Sequence, residues 1–369
     1  MNNLLHISSN VFKDLNNFHA TRKIWEELAK GFDEYHILAR SENNKYSYTK
    51  DNNIHLHLIP NLKNTKLFFF TSIYMKKIIK KYNINFMLSQ CSILGGPLAT
   101  YYSKKYSIPL MVEIHGMEYF RYLESKKWRH YPVKKIMYYV FNNSQKIRSL
   151  SLAMTEMLSN FNITKNVVEI PNRVNIKLFN PPKSNYNIDF SEIKIISIGR
   201  FVWEKNYEMA IEVISNLEKK YNGISLTLIG DGPLKNKYLD QIASKKANVN
   251  LISWKNQEEM VPLLRESDIY IQTSKSEGVP RTIIEAMALK LPIISTDVGA
   301  IKGIIKNNVN GILVENNNSE VLENKIIDLI NDKILREKMS EEAYKDVLEN
   351  YEWNKVFTKY RNEIKSMRC

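Results

Sequence analysis

The chain has 369 residues, which is too long for one ordinary hydrophobic core and suits two domains of roughly 150 to 200 residues each. Hydrophobic residues make up 44% and aromatic residues 11%, a composition that excludes an intrinsically disordered protein. The two cysteines, Cys91 and Cys369, exclude a disulfide framework and favour a reducing, cytoplasmic environment. The N-terminus carries no basic segment ahead of an apolar run, so we expect no secretory signal.

The net charge of +14 is unevenly distributed along the chain. Residues 1–185 carry a net charge of +15, whereas residues 186–369 carry −1. Such asymmetry predicts that the first half faces an anionic partner. Nucleic acid and an anionic membrane surface both fit the charge alone.

Short apolar segments rich in β-formers alternate with stretches long enough for helices. In chain order the predicted strands are residues 4–8, 35–39, 54–59, 86–90, 110–114, 146–151, 167–171, 194–199, 225–230, 249–253, 268–272, 292–296 and 311–315. This alternation is typical of parallel sheets with crossover helices, so each half is predicted to be a doubly wound α/β domain.

A polar stretch with two adjacent prolines, residues 179–192, predicts the linker between the two domains. We therefore expect a first domain over 1–180 and a second over 181–350. The tail, residues 351–369, has an amphipathic pattern with Trp353, Val356, Phe357 and Tyr360 on one face. We expect this tail to form a helix that packs back on the first domain.

The stretch SEGVPRTIIEAMA, residues 276–288, holds two glutamates eight positions apart. Glu277 lies in a predicted loop after a strand, and Pro280 suits the first position of the helix that follows. The free N–H groups and the positive dipole end at such a helix start favour an anion, such as a phosphate. Glu285 falls in an otherwise apolar helix and needs hydrogen-bond donors if it is buried, which ribose hydroxyls or a neighbouring arginine would supply.

Two further turns in the second half follow predicted strands. In GRFVWEKN, residues 199–206, Arg200 and Lys205 flank the turn and suit a diphosphate, although surface solvation explains such a pair equally well. In LIGDGPL, residues 228–234, a tight turn contains Gly230 and Gly232. Each of these segments alone is weak evidence for a binding site. Their occurrence in this order within one predicted domain is stronger evidence.

Taken together, these segments resemble the retaining glycosyltransferases of family 4. The resemblance covers most of the chain and implies the GT-B fold, in which two Rossmann-like, doubly wound α/β domains face a central cleft. The segments that carry it are GRFVWEKN (199–206), IGDGP (229–233), EGVPRTIIE (277–285), STDVGAIKGIIKNNVNGILVENNN (295–318), VVEIPNRVNIKLF (167–179) and VEIHG (112–116). Arg173 stands where the family usually has glycine.

The resemblance assigns a role to each candidate site residue. Glu277 would hold hydroxyls of the donor sugar, His115 would approach that sugar from the first domain, and Arg200 with Lys205 would bind the diphosphate. Glu285 would bind the ribose. The remaining donor-binding candidates are Gly278, Val279, Pro280, Arg281, Gly199, Gly230 and Gly232.

The first loop departs from the family pattern. The family usually has a Gly-Gly pair there, but residues 8–23 read SSNVFKDLNNFHATRK. Asn16, Asn17 and His19 are the candidates to replace the pair on the acceptor side. The resemblance implies that Arg200, Lys205 and the helix start neutralise the leaving diphosphate, so we expect the reaction to need no metal or other cofactor. The nucleotide-diphosphate sugar is a substrate, and no Asp-x-Asp metal motif is visible in the sequence.

The basic residues of the first half indicate what kind of acceptor the protein uses. Residues 62–82 and 119–141 mix lysines and arginines with aromatic residues, a combination that fits an anionic membrane interface. A packed core with a solvated basic face is the alternative. We expect a saccharide acceptor that is lipid-linked, as in bacterial surface-polysaccharide assembly, and a cytoplasmic protein at the inner face of the membrane.

Two other functions share some of these features. A nucleotide-sugar epimerase would have the same architecture, but the spacing of Glu277 and Glu285 favours sugar transfer. A non-catalytic basic module would bind nucleic acid, yet the sequence contains no recognised nucleic-acid motif.

Overall fold

The computed structural model describes residues 1–15, 19–61, 72–181 and 186–367. The described strands are β1 Asn3–Phe12, β2 Glu34–Ser41, β3 Ser47–Asp51, β4 Ile54–Pro60, β5 Phe86–Ser89, β6 Leu110–Glu113, β7 Lys146–Ser149, β8 Val167–Glu169, β9 Ile193–Ile198, β10 Ile224–Ile229, β11 Val249–Ile252, β12 Ile269–Gln272, β13 Ile293–Thr296 and β14 Ile312–Val314. All thirteen predicted strands are present.

Helices separate most of these strands. They are α1 His19–Ala29, α2 Ser72–Lys81, α3 Gly96–Tyr106, α4 Glu118–Glu124, α5 Tyr131–Asn142, α6 Leu152–Ser159, α7 Tyr207–Leu217, α8 Lys235–Lys245, α9 Gln257–Arg265, α10 Arg281–Ala288, α11 Ser319–Asn331, α12 Lys333–Asp346 and α13 Trp353–Lys365. In the described ranges, no helix is both long enough and apolar enough to cross a lipid bilayer.

The strands form two separate sheets. The first has the order β3-β4-β2-β1-β5-β6-β7-β8 and is parallel except for the β3–β4 pair. The second has the order β11-β10-β9-β12-β13-β14, and all its pairs are parallel. Both are doubly wound sheets, as the alternating pattern predicts.

The sequence pattern did not predict β3. Four of its five residues are exposed, so it lacks the apolar alternation that reveals a half-buried strand. It pairs antiparallel with β4, Tyr48 opposite His57 and Lys50 opposite His55. A polar edge strand of this kind covers the edge of β4.

The chain divides into two compact units, Met1–Ile170 with Phe357–Cys369, and Pro171–Val356. The division falls ten residues before the expected end of the first domain. The reason is that residues 171–180 contact the second unit: Asn172 Nδ2 donates to the Val279 carbonyl at 2.7 Å, and the Val174 amide donates to the Tyr351 carbonyl at 2.9 Å.

Helix α13 begins in the second unit and ends in the first. In the first unit, Arg361 Nη1 donates to the Glu27 carbonyl at 2.6 Å, and Lys146 forms an ion pair with Glu363. Phe357, Tyr360, Ile364 and Met367 are buried. Burial of these side chains supplies the apolar contact that an amphipathic helix needs to stay folded.

Candidate functional site

The candidate site in the second unit lies where the strand order of its sheet reverses. Strand β9 has β10 and β11 on one side and β12, β13 and β14 on the other. Ligands of doubly wound sheets bind beyond the carboxyl ends of the strands at this reversal. The loops that follow β9 and β12 carry Arg200, Lys205 and Glu277, so the topology brings these predicted residues to one edge of the sheet.

Direct hydrogen bonds hold these two loops together. The Lys275 amide donates to the Glu204 carbonyl at 2.7 Å, and Thr273 Oγ1 donates to the Lys205 carbonyl at 3.0 Å. Asn206, which precedes α7, has φ of 51° and turns the chain into that helix. The loop after β9 is thereby fixed against the loop after β12.

Glu277 is held through one of its two carboxylate oxygens. Oε1 accepts from Lys205 Nζ at 2.5 Å, from Gln272 Nε2 at 2.7 Å and from Ser274 Oγ at 2.6 Å. Among the described residues, none donates to Oε2. The protein therefore orients the carboxylate through Oε1 and leaves Oε2 able to accept a hydrogen bond from a ligand.

Further contacts fix the residues that hold Glu277. Tyr270 OH lies 2.8 Å from Gln272 Oε1 and 2.8 Å from Thr282 Oγ1, which links β12 to helix α10. The Ala300 amide donates to the Glu277 carbonyl at 3.2 Å. Gly299 has φ of 58°, and a Cβ built there would lie 1.9 Å from that carbonyl oxygen, so only glycine fits the backbone at this position.

Arg200 follows β9 and is exposed. Within the described ranges its guanidinium forms no ion pair, whereas Lys205 is paired with Glu277. Gly230 and Gly232 permit close backbone packing here: a Cβ at Gly230 would lie 2.0 Å from the Gly199 carbonyl oxygen. A Cβ at Gly199 would lie 2.8 Å from side-chain atoms of Lys205 and Tyr207. These glycines serve the approach of the loops after β9 and β10.

Helix α10 begins one residue later than expected. Pro280 has ψ of 121°, an extended conformation, so it is the residue that precedes the helix and Arg281 is the first helical residue. In the described part of the chain, the amides of Gly278, Val279 and Arg281 donate no hydrogen bond. Unpaired amides at a helix start form an anion site.

Glu285 lies in α10 and is buried, as its apolar neighbours predict. Its Oε1 accepts from Gln257 Nε2 at 2.7 Å, a partner that the sequence pattern did not identify. Burial raises the pKa of Glu285, and the charge of Arg281 and the hydrogen bond from Gln257 oppose that rise. Of the described residues, none donates to Oε2, which leaves one oxygen for a ligand hydroxyl.

In the first unit, His115 follows β6 and is partly exposed. Its Nε2 lies 2.8 Å from Glu113 Oε2, and Glu113 is buried. Glu113 Oε1 accepts from Arg148 Nη1 and from the Tyr360 hydroxyl. Sequence reasoning found His115 but missed this network, because its members come from β6, β7 and α13.

In this network the charges of His115 and Arg148 stabilise the negative charge of Glu113. Burial alone acts to raise the pKa of Glu113, but the charges of His115 and Arg148 outweigh it, so the pKa lies well below the ordinary value. The Arg148 guanidinium also lies 4.5 Å from the centre of the Tyr360 ring. Glu113 is therefore a positioning residue that fixes the ring of His115.

The acceptor-side candidates lie largely outside the described residues. Asn16 and Asn17 are not among them. For His19 only the backbone is described, as the first residue of α1. Their predicted role stays a prediction.

Two family models match the chain in turn. Residues 21–178 match the model "Glycosyltransferase Family 4", and residues 182–346 match "Glycosyl transferases group 1". The nucleotide-sugar epimerase alternative gains no support from these matches.

Three relatives are similar to this chain in sequence. "Protein CapJ" of Staphylococcus aureus is 30% identical over 300 residues, 76% of this chain and 73% of that one. "Uncharacterized glycosyltransferase MJ1178" of Methanocaldococcus jannaschii is 28% identical over 284 residues, 75% and 74% of the two chains. The "poly(ribitol-phosphate) alpha-N-acetylglucosaminyltransferase" of Staphylococcus aureus is 29% identical over 240 residues, 63% of this chain and 47% of that one.

Solved structures share the fold. A sucrose-phosphate synthase from Thermosynechococcus elongatus superposes with a TM-score of 0.79 at 16% identity and covers 100% of both chains. HepE of Anabaena in complex with UDP superposes with a TM-score of 0.77 at 13% identity and also covers 100% of both. With the two doubly wound sheets and the two family models, these similarities show that the chain belongs to the glycosyltransferases of the family 4 type, which have the GT-B fold.

Proposed function

We propose that this protein is a retaining glycosyltransferase that moves a hexosyl or N-acetylhexosaminyl group from a UDP-sugar to a saccharide acceptor. The observation that carries the proposal is the arrangement at the edge of the second sheet. Glu277 is fixed through Oε1 by Lys205, Gln272 and Ser274, and its Oε2 is left for a sugar hydroxyl. Arg200 and the amides of the α10 start supply positive charge at the same edge of the sheet.

This arrangement suits the departure of a diphosphate without a metal ion. The negative charge that develops on the leaving oxygen is stabilised by Arg200, by Lys205 and by the start of α10. Glu285, with Oε1 held by Gln257, is assigned to the ribose. The catalytic role predicted for His115, whose ring Glu113 fixes, stays a prediction.

Retention is assigned to attack on the same face from which the diphosphate leaves. The acceptor oxygen forms a bond to the anomeric carbon while the bond from that carbon to the phosphate oxygen breaks. The acceptor proton passes to the departing phosphate oxygen. No protein nucleophile is needed for this route, and Glu277 serves to orient the sugar.

Two relatives support the substrate classes. HepE of Anabaena is described in complex with UDP, which supports UDP as the nucleotide. The printed name of the Staphylococcus aureus enzyme gives N-acetylglucosamine as the transferred sugar and a poly(ribitol phosphate) as the acceptor. We propose the related class for this chain, a bacterial surface-polymer saccharide that is lipid-linked during assembly.

A panel of nucleotide sugars tests the donor assignment. We expect slow hydrolysis of one UDP-sugar by the purified protein, and faster turnover when a bacterial membrane extract supplies acceptor. Turnover should survive excess EDTA. Loss of turnover that Mg²⁺ or Mn²⁺ restores would contradict the metal-free donor site, and GDP-sugar turnover in place of UDP-sugar turnover would overturn the choice of nucleotide.

Exposed basic and aromatic residues of the first unit support a membrane-bound acceptor. On α2, Met75, Ile78 and Ile79 are buried while Lys76, Lys77, Lys80 and Lys81 are exposed. Near the start of α5, Trp128 is 88% exposed and Tyr131 57% exposed, beside the exposed Lys126, Lys127 and Arg129. The aromatic residues 68–70 lie outside the described residues. Exposed tryptophan with lysines favours an anionic lipid surface.

Replacing Lys76, Lys77, Lys80 and Lys81 by serine should weaken binding to anionic vesicles by two orders of magnitude or more, since each basic residue contributes about 1 kcal/mol near such a surface. Vesicle sedimentation at low and high salt measures it, because salt screens the attraction. The matched control removes four exposed lysines of the second unit, Lys219, Lys245, Lys302 and Lys333, and should bind as wild type does. A wild-type protein that stays in the supernatant at low salt would contradict the membrane assignment.

A further inference from the structure

A cluster of histidines occupies one face of the first sheet, away from the residues discussed above. His36 lies on β2, and His55 and His57 lie on β4, so three of the seven histidines of the chain are neighbours. The parallel register pairs His36 with His55. All three are at most 2% exposed. Side chains two apart on a strand share a face, which places Glu34 of β2 beside them.

The arrangement of ring nitrogens brings three potential ligand atoms together. His36 Nε2 lies 3.1 Å from Glu34 Oε2, and His55 Nε2 lies 3.8 Å from Glu34 Oε1. The ligand atoms of Glu34, His36 and His55 all lie within 4.8 Å of one another. Ligand atoms of a tetrahedral zinc ion are separated by about 3.4 Å when the bonds are about 2.0 to 2.1 Å. Small side-chain rotations therefore suffice to close the site.

The second nitrogen of each ligand ring already has a partner. His36 Nδ1 lies 3.2 Å from His57 Nε2, and His55 Nδ1 lies 2.9 Å from Tyr48 OH. Metal-binding histidines nearly always have such a partner on the nitrogen that does not bind the metal, because it fixes the tautomer and the ring orientation. Here Tyr48 comes from the edge strand β3, which explains why an exposed strand covers β4.

One atom of the cluster lacks a hydrogen bond. His55 Nε2 is buried, and no described residue is placed to bond it. A buried polar atom without a partner is rare and costs free energy. His55 Nε2 and His36 Nε2 lie beside the same carboxylate, that of Glu34.

We propose that Glu34, His36 and His55 bind a divalent transition-metal ion, with zinc as the favoured ion, and that His57 and Tyr48 orient the two ligand rings. Two imidazoles and one carboxylate form a known zinc ligand set, in which a water molecule takes the fourth position. The side chain of Glu34 is 35% exposed, which gives the ion a path from solvent. The ion would join β2 to β4 in the first unit, and its ligands are not among the residues assigned to sugar transfer.

Zinc titration of chelator-treated protein tests the proposal without any measurement of turnover. Isothermal calorimetry should show one saturable site, and zinc should raise the melting temperature, since an ion that binds only the folded state stabilises it. Glu34→Gln should weaken zinc binding by at least about 100-fold, because loss even of an outer-shell partner costs 10- to 100-fold. Because Glu34 is partly exposed, this variant should stay folded.

Control variants separate a built site from adventitious binding. Glu42→Gln removes an exposed carboxylate of the same region and should bind zinc as wild type does. Cobalt in place of zinc should give the strong visible absorption of tetrahedral coordination in wild type and lose it in Glu34→Gln and His55→Gln. The proposal is overturned if stripped wild-type protein shows no saturable zinc binding, or if both ligand variants bind zinc and cobalt as wild type does.

Discussion

Replacing Glu277 by glutamine is expected to lower the turnover number by about 100-fold or more, the size of effect seen when one stabilising group is lost from a preorganised site. The carboxylate has two tasks in the proposed mechanism. Its Oε1 holds the ammonium group of Lys205 at 2.5 Å, and its Oε2 accepts from the donor sugar. An amide accepts less strongly and cannot pair with Lys205. Steady-state kinetics with the donor found in the nucleotide-sugar panel measures the change.

Glu285→Gln is the matched comparison, because it makes the same chemical change eight residues along the chain. Since Glu285 is assigned to the ribose, its replacement should weaken binding of free UDP, measured by calorimetry. Glu277→Gln should leave UDP binding nearly unchanged, because the sugar is absent. The assignment of the two glutamates fails if Glu277→Gln turns over as wild type does, or if both variants lose UDP affinity equally.

Replacing Glu113 by leucine should destabilise the protein by about 3 to 5 kcal/mol, the cost of leaving one charge of a buried pair without its partner. Arg148 is 2% exposed and its guanidinium pairs with Glu113. The stabilising contribution of Glu113 should also depend on pH. Because the folded-state pKa lies well below the ordinary value of 4.5, the contribution is present above pH 4.5 and is lost as the pH falls through the folded-state value. Urea unfolding monitored by circular dichroism measures both effects.

Two further variants make this result specific. The double variant Glu113→Leu with Arg148→Met removes both charges and should recover more than half of the lost stability. Glu323→Leu breaks the ion pair with the exposed Lys220 and should cost less than about 1 kcal/mol. Equal losses in Glu113→Leu and Glu323→Leu would contradict the importance of the buried pair.

The strand pattern could be read from the sequence because most of the apolar strands are buried on both faces of a parallel sheet. Such strands form continuous apolar runs that stand out from the amphipathic helices. Strand β3 was not predicted because its side chains are exposed and because its pairing with β4 determines its position. The early boundary between the units depends on contacts of Asn172 and Val174 with residues more than 100 positions away, which local patterns do not reveal.

That the second-unit candidates lie at one edge of the sheet was predictable for a related reason. Arg200, Lys205 and Glu277 occur in loops that directly follow strands, and parallel topology brings the carboxyl ends of strands to one edge. The network around His115 was not predictable, since Glu113, Arg148 and Tyr360 look like isolated charged or aromatic residues in the sequence. The histidine cluster needs both the register of β2 with β4 and the position of β3. Its partners therefore become visible only in three dimensions.

The discontinuity of the first unit has a consequence for how the protein is made. Synthesis proceeds from the N-terminus, and most domains complete their fold as they leave the ribosome. Residues 1–170 of this unit emerge long before Phe357–Cys369, which belong to it too. Until residues 357–369 have left the ribosome, Glu113 lacks the hydroxyl of Tyr360 and Lys146 lacks Glu363. We expect the second unit to fold first in the nascent chain, and the first unit to become protease-resistant only after residues 357–369 have left the ribosome.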